Sequence, residues 1–132
     1  MVAAAVLAAA PALAADFTPE QIIRRHVEAA DRGDAAAMAA DYAEDAVMLS
    51  PGRVVRGRAA IQAGFEGIFG PKAPIKFTVT ALHIWSDGDV GFISWTANDG
   101  RFKGSDSYLV RHGKILAQAV YIGASTEPPA GK

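Results

Sequence analysis

Hydrophobic and polar residues alternate over the last third of the chain, from residue 77 to residue 122. Four β-rich runs, FTVTALHIW, VGFISWTA, RFKGSDSYLV and KILAQAVYI, are separated by short polar segments at 86–89, 98–101 and 111–114. Each segment contains an Asp-Gly or His-Gly pair, which readily adopts the positive φ angles of a tight hairpin turn. The pattern therefore predicts a four-stranded antiparallel meander.

One residue interrupts the apolar pattern of the third run. Its even positions are Phe102, Gly104, Asp106, Tyr108 and Val110, whereas its odd positions are mostly polar. Because successive side chains of a strand point to opposite faces, the even positions are predicted to face the core. Asp106 is therefore predicted to point into the core or into a pocket.

Two helix starts are recognisable near the N-terminus. Thr18 can cap a first helix that has Pro19 at its first position and Gln21 where a capping box requires Glu or Gln. This helix is predicted to end near Arg32. Asp34 is predicted to cap a second helix, from residue 35 to about residue 42.

A third helix is predicted from residue 58 to about residue 69, with Ile61, Phe65 and Ile68 on one face. Short extended segments at 46–49 and 54–55 precede it. Helices followed by a meander are typical of an α+β domain whose helices pack on one face of a curved antiparallel sheet. A sheet that curls around helices leaves a cavity at its open end.

Size, charge and cysteine content exclude several classes. A chain of 132 residues is one domain with a sizeable core. A formal net charge of −1 and a pI of about 6.3 give no basic surface for nucleic acid or an anionic membrane, so neither is expected as a partner. The chain has no cysteine, which excludes disulfides, thiolate metal sites and cysteine nucleophiles.

The first fifteen residues carry no charge and end in the small-x-small triplet ALA, as secretory signal peptides do. A basic segment normally precedes such a stretch, and its absence favours a signal that is truncated at its start. The alternative is an Ala-rich N-terminal helix. We expect a periplasmic or secreted protein without membrane association after signal cleavage, with a domain over 16–125 and a flexible tail over 126–132.

Common cofactor motifs are missing from the sequence. The three histidines, at 26, 83 and 112, lack the spacing of a metal site. Neither a Gly-x-Ser-x-Gly elbow nor a phosphate-binding loop is present. No metal or cofactor is therefore expected.

Four blocks of the sequence carry a family resemblance. They are ADRGD at 30–34, DYAEDAV at 41–47, VRGRAAI at 55–61 and GSDSYLVRHGKI at 104–115. In these blocks the chain resembles the NTF2-like superfamily, specifically its SnoaL-like and ketosteroid-isomerase-like branches, over roughly residues 19–124. The resemblance implies an α+β cone. It does not select a function, because this scaffold hosts isomerases, cyclases, dehydratases, epoxide hydrolases and non-catalytic binding proteins.

The steroid isomerases in this superfamily use three residues that can be compared with this chain. Their general-base aspartate precedes a proline, where this chain has Ser50 before Pro51. Their oxyanion-hole tyrosine on the first helix is matched by His26, and their oxyanion-hole aspartate by Asp106. Since a serine hydroxyl is not a base at neutral pH, the resemblance argues against ketosteroid isomerisation.

Asp106 and His26 are the candidate catalytic residues. Asp106 is either a carboxyl with a raised pKa that exchanges a proton with a ligand, or a structural carboxylate. His26 is either a proton carrier oriented by Asp106, or a hydrogen-bonded histidine of the core.

The large and polar residues expected to line the cavity complete the candidate site. They are Tyr42, Met48, Ser50, Phe65, Phe69, Trp95, Tyr108, Gln118 and Tyr121. The expected function is binding of a small apolar, oxygen-bearing ligand, with acid–base turnover of the isomerase, cyclase or dehydratase type, in a homodimer formed through the outer face of the sheet. The alternative is a non-catalytic dimeric scaffold whose cavity is filled by its own aromatic side chains.

Overall fold

The first helix begins where the sequence predicts it. In the computed structural model, which describes residues 16–124, α1 spans Pro19–Asp31. The hydroxyl of Thr18 accepts a hydrogen bond from the Gln21 amide at 3.3 Å, and the Gln21 side chain accepts one from the Thr18 amide at 2.9 Å. This is the predicted capping box, and it satisfies two amides that lack a partner within the helix.

The second helix is shorter than predicted. Asp34 caps α2 (Ala35–Ala40) by accepting a hydrogen bond from the Ala37 amide at 2.9 Å. The helix stops before Tyr42 because Tyr42 already belongs to strand β1 (Tyr42–Ser50), where it pairs with Ile115. Strand β2 (Arg53–Arg56) and helix α3 (Arg58–Phe69) follow.

The predicted meander is confirmed. It consists of β3 (Val79–Asp87), β4 (Val90–Ala97), β5 (Phe102–Arg111) and β6 (Lys114–Ala124). Residues with positive φ occupy all three turns, among them Gly88, Gly100 and Gly113. The six strands form one sheet in the order β2-β1-β6-β5-β4-β3, in which β1 and β6 are parallel and the other neighbours are antiparallel.

The helices pack on one face of this curved sheet, as the α+β pattern predicts. The most deeply buried side chains come from both layers: Ile22, Ile23, Met38, Tyr42, Ile61, Ile93 and Ile115. Helix α1 approaches β4 so closely that a Cβ atom at Gly91 would lie 2.7 Å from Cδ1 of Ile23. The other face of the sheet is open, and we call these two sides the inner and outer faces.

The inner face contains the even positions of β5, as predicted. Tyr108 and Val110 are buried, and Asp106 lies between Ile93 of β4 and Val120 of β6. Asp106 therefore faces the helices and not the solvent on the outer face.

Some expectations fall on residues that the structure does not describe. The predicted signal peptide at 1–15 and the tail at 126–132 lie outside residues 16–124. Within the described part of the chain, no helix is long and apolar enough to cross a bilayer.

Candidate functional site

A cavity of about 380 Å³ lies between the inner face of the sheet and helices α1 and α3. Its walls are mainly apolar, with Val27, Phe65 and Phe69 from the helices and Ile93 and Val120 from the strands. This volume falls at the lower end of the range for small-molecule sites, about 300–1,000 Å³.

The cavity opens to solvent at one end. Ile68 and Ile122 line it while remaining 45% and 41% exposed, which marks the mouth. Pro51 and Arg53, from the turn and strand that follow β1, are exposed at the same opening.

Asp106 is the centre of the polar part of the cavity. Its Oδ1 accepts a hydrogen bond from the indole Nε1 of Trp95 at 3.0 Å. Its Oδ2 accepts one from the Tyr108 hydroxyl at 3.1 Å and one from Nε2 of Gln118 at 3.0 Å. All three donors come from strands next to one another, so the sheet register assembles the cluster.

Gly104 makes room for one of these donors. A Cβ atom at Gly104 would lie 2.2 Å from Cζ2 of Trp95, so only glycine lets the indole cross β5 to reach Asp106. The glycine in the third β-rich run is therefore required by packing rather than by backbone conformation.

A second row of hydrogen bonds supports the cluster. The Tyr42 hydroxyl donates to Oε1 of Gln118, and Nε2 of Gln118 also donates to the Tyr108 hydroxyl at 3.1 Å. Burial raises the pKa of both phenols well above its usual value, so Tyr42 and Tyr108 stay protonated and act as donors.

Two influences act in opposite directions on the Asp106 carboxyl. Burial disfavours the charged form and raises its pKa, whereas the hydrogen bonds from Trp95, Tyr108 and Gln118 favour the charged form. Burial is the larger influence, and the pKa of Asp106 is raised above its ordinary value.

His26 lies in the same cavity but has different surroundings. The ring is 5% exposed and makes edge contacts with the aromatic rings of Tyr42, Phe65 and Tyr108. Burial lowers its pKa to about 4, partly opposed by a hydrogen bond with the backbone of Met38, so the ring is neutral at pH 7. Its Nδ1 has no hydrogen-bond partner within the described residues.

Of the two alternatives for His26, the one in which Asp106 orients the ring does not hold in the structure. Both oxygens of Asp106 are bonded to Trp95, Tyr108 and Gln118 instead, because these donors lie on the same strand or on strands next to β5. Both residues line the cavity, but no hydrogen bond joins them within the described part of the chain.

Most of the predicted lining residues do contact the cavity. These are Met48, Ser50, Phe65, Phe69, Trp95, Tyr108 and Gln118, together with His26 and Asp106. Tyr42 is fully buried and acts on the site through its hydrogen bond to Gln118.

The placement of Tyr121 in the cavity was wrong. It is 66% exposed on the outer face, where it pairs with Ser105 and not with Asp106. An irregularity in β6 explains this: Val110 pairs with Ile115 but Leu109 pairs with Ala117, so one residue is inserted. Such a bulge reverses the inside–outside alternation, which brings Gln118 to the inner face and turns Tyr121 outward.

Arg53 is a lining residue that sequence analysis missed. It pairs with Ser50 across the β1–β2 hairpin and shares the inner face with Val55. The available signal was the position of Arg53 two residues before buried Val55, but the predicted extended segment began only at residue 54.

The other histidines lie away from the cavity. His83 stacks on Trp85 with ring centroids 5.2 Å apart, and the side chain of His112 is 94% exposed. No group of three histidine, aspartate or glutamate side chains within residues 16–124 is arranged to hold a metal ion.

Comparison with known protein families identifies the family of this chain. A family model described as the SnoaL-like domain matches residues 23–118. The chain belongs to the SnoaL-like family. No curated protein is similar enough to it in sequence to count as a match.

Solved structures of NTF2-like proteins share the fold of this chain. An NTF2-like protein of unknown function from Burkholderia xenovorans is 22% identical with a TM-score of 0.71, covering 84% of this chain and 87% of its own. A Kribbella flavida protein provisionally described as a ketosteroid isomerase is 20% identical with a TM-score of 0.70, covering 86% and 83%.

A third structure belongs to an enzyme of natural-product synthesis. SalBIII, described as an epoxide hydrolase/cyclase-like enzyme in salinomycin pyran ring formation, is 21% identical with a TM-score of 0.67, covering 80% of this chain and 90% of its own. At these identities the comparisons establish the NTF2-like fold alone.

Proposed function

We propose that this SnoaL-like domain binds a small, mainly apolar organic molecule whose oxygen-bearing end contacts Asp106. The observation that carries the proposal is a carboxyl held by three hydrogen-bond donors at the wall of an otherwise apolar cavity. An ionised carboxylate offers about four acceptor positions, so one position remains for the ligand. The neutral ring of His26 lines the same cavity, but its unpartnered Nδ1 is itself buried.

The Asp106 carboxyl defines what the inner end of the ligand carries. Since an ionised Asp106 presents only acceptor positions, the ligand supplies the hydrogen, as a hydroxyl or enol does. The aromatic and aliphatic walls bury the rest of the molecule.

We also propose acid–base turnover of the isomerase, cyclase or dehydratase type at this site, without a cofactor. Asp106 takes a proton from the ligand and returns it, while the neutral ring of His26 packs beside the reacting group. A carboxyl whose pKa is raised by burial is a better proton acceptor than an ordinary aspartate. Ketosteroid isomerisation is not proposed, because Ser50 occupies the position of the base.

A self-filled scaffold is less well supported. Phe65 and Trp95 line the cavity without occupying it, and Tyr121 faces away from it. The space of about 380 Å³ is left for another molecule.

The substitution Asp106→Asn tests the proposal. The probe is 2-naphthol, an apolar two-ring molecule with one hydroxyl. The asparagine amide has fewer acceptor positions than the carboxylate and places a donor against Tyr108 and Gln118, so we expect the affinity for 2-naphthol to fall on the order of tenfold. Binding is measured by fluorescence titration, with melting temperature and circular dichroism as checks of the fold. Exposed Asp45→Asn is the matched control. Unchanged affinity in Asp106→Asn contradicts the proposed role of this carboxyl.

Export and dimerisation remain parts of the proposal. An uncharged, Ala-rich stretch that ends in ALA supports secretion to the periplasm or beyond, and N-terminal sequencing of the mature protein checks it. Large exposed apolar side chains on the outer face of the sheet support a homodimer.

A further inference from the structure

The mouth of the cavity is chemically different from its inner end. Arg53 is the only Lys or Arg among the described residues that line it, and it is exposed, whereas Asp106 is partly buried and His26 is buried. The pairing of Arg53 with Ser50 places Arg53 on the inner face, so this residue borders the cavity rather than the outer face of the sheet.

Arg53 lacks a carboxylate partner within the described residues. Four other arginines, Arg24, Arg25, Arg58 and Arg111, each form an ion pair with a nearby carboxylate. No such pair includes Arg53. A guanidinium can donate two parallel hydrogen bonds to one carboxylate, which makes it a ready site for an acid group on a ligand.

The sheet register gives the separation between the two ends. Arg53 pairs with Ser50, Leu49 pairs with Ala119, and Val120 pairs with Asp106. Ser50 and Val120 each follow one member of the parallel pair Leu49–Ala119, so the same register sets Ser50 beside Val120. Arg53 and Asp106 therefore lie in one row across β2, β1, β6 and β5. Three strand spacings put their Cα atoms about 14 Å apart. With both side chains reaching inward, this span suits an apolar body of about two fused rings.

We propose that the natural ligand is an apolar monocarboxylic acid, with its carboxylate on Arg53 at the mouth and its hydroxyl or enol end at Asp106. This inference rests on the proposed function, whose ligand it places in a chemical class. One guanidinium neutralises one negative charge, which favours a monoanion over a phosphate. The reverse orientation sets the acid beside Asp106, and two adjacent carboxyl groups do not both ionise readily.

Two probes that differ by one group test this class. 2-Naphthol has the apolar body and the hydroxyl, and 6-hydroxy-2-naphthoic acid adds a carboxylate at the far end. Because a hydrogen-bonded guanidinium stabilises the carboxylate, we expect the acid to bind on the order of tenfold more tightly than 2-naphthol to the unchanged protein. Fluorescence titration gives both dissociation constants.

The matched variants are Arg53→Gln and Arg56→Gln. Both arginines are exposed and belong to β2, but Arg56 pairs with Val47 and does not line the cavity. We expect Arg53→Gln to bring the ratio of the two affinities close to one, because a loss on the order of tenfold is specific to the acid while any effect on the shared apolar body acts on both probes. Arg56→Gln should leave both affinities unchanged.

The outcomes separate the inference from the proposed function. If 2-naphthol binds but the acid binds no better, or if Arg56→Gln weakens the acid as much as Arg53→Gln, the carboxylate class is overturned and the cavity site stands. If neither probe binds, the proposed function itself fails.

Discussion

At the level of single residues, the ionisation of His26 is coupled to folding. Its pKa is lowered from 6.5 to about 4, mainly by burial. The unfolded chain therefore binds a proton at pH values where native His26 does not. Between pH 6.5 and about pH 4 the free energy of unfolding falls as the pH falls, because protonation favours the unfolded state.

The size of this effect can be measured by urea denaturation at several pH values. A pKa shift of this size lowers the free energy of unfolding by about 3 kcal/mol between pH 7 and pH 4. We expect His26→Phe to flatten the pH dependence in that window, because the buried titrating group is gone. His112→Gln is the control, since the side chain of His112 is 94% exposed. An unchanged slope in His26→Phe contradicts the assignment of this pKa to burial.

The contribution of Asp106 to the pH dependence of the free energy of unfolding has the opposite sign to that of a typical native carboxylate, whose pKa is lowered by folding. Because its pKa is raised in the folded state, native Asp106 retains a proton that the unfolded chain has released. Its contribution to stability is therefore fully present below the unfolded value of 3.8 and declines as the pH rises through the folded pKa. This cost of burying a carboxyl in an apolar wall is consistent with a role in ligand chemistry rather than in stability.

At the scale of elements, local sequence signals predicted the helices and the meander well. The capping residues Thr18 and Asp34 sit at the helix starts that they predict. The period-2 pattern of β5 was enough to place Asp106 on the inner face, because this strand is regular from residue 102 to residue 109. These features depend on neighbours in sequence, which is why one sequence sufficed.

Features that depend on distant pairing were missed. The bulge in β6 that turns Tyr121 outward follows from pairing with β5 and leaves no clear mark in the run KILAQAVYI. The extension of β1 back to Tyr42 depends on a parallel ladder with β6, more than seventy residues away in sequence. The hydrogen bonds of Asp106 depend on both registers, so the partners of this carboxyl required the three-dimensional structure.

The outer face of the sheet carries large exposed apolar side chains. Leu49, Val54, Trp85, Val90 and Tyr121 are between 48% and 66% exposed. They belong to five of the six strands, and Trp85, Phe92, Ser107, Ala119, Leu49 and Val54 form one row across the sheet. Five strand spacings span about 24 Å, and strands of four to eleven residues make the face about 28 Å long on average. That area, roughly 700 Å², is close to one side of a standard interface, about 800 Å².

We propose that a second copy of the chain covers this face. We expect the protein to be a dimer by light scattering at micromolar concentration, and Leu49→Lys with Trp85→Lys to make it a monomer by burying like charges. Ile68→Lys is the control, because Ile68 is similarly exposed but lies at the cavity mouth on α3. A monomer in the unchanged protein, or a dimer that survives the double substitution, contradicts this interface.

For the molecule as a whole, we propose separate roles for the two faces of the sheet. The inner face and the helices form the cavity with its polar end at Asp106, and the outer face is the proposed dimer surface. A ligand in the cavity then lies apart from the partner subunit, so occupancy and dimerisation can be tested independently.

The two tryptophans of the chain report on these two faces separately. The indole of Trp95 lines the cavity and donates its Nε1 hydrogen to Asp106, whereas Trp85 is on the outer face and 52% exposed. In ¹H–¹⁵N correlation spectra, each indole gives its own resonance.

Titration of the ¹⁵N-labelled protein with 2-naphthol therefore tests most directly whether a ligand binds at Asp106. We expect the Trp95 indole resonance to shift progressively and saturate, because a hydroxyl that binds Asp106 alters the hydrogen bond of this indole, while the Trp85 resonance stays in place. A shift of Trp85 alone, or no shift of either resonance at millimolar 2-naphthol, would contradict a ligand site at Asp106.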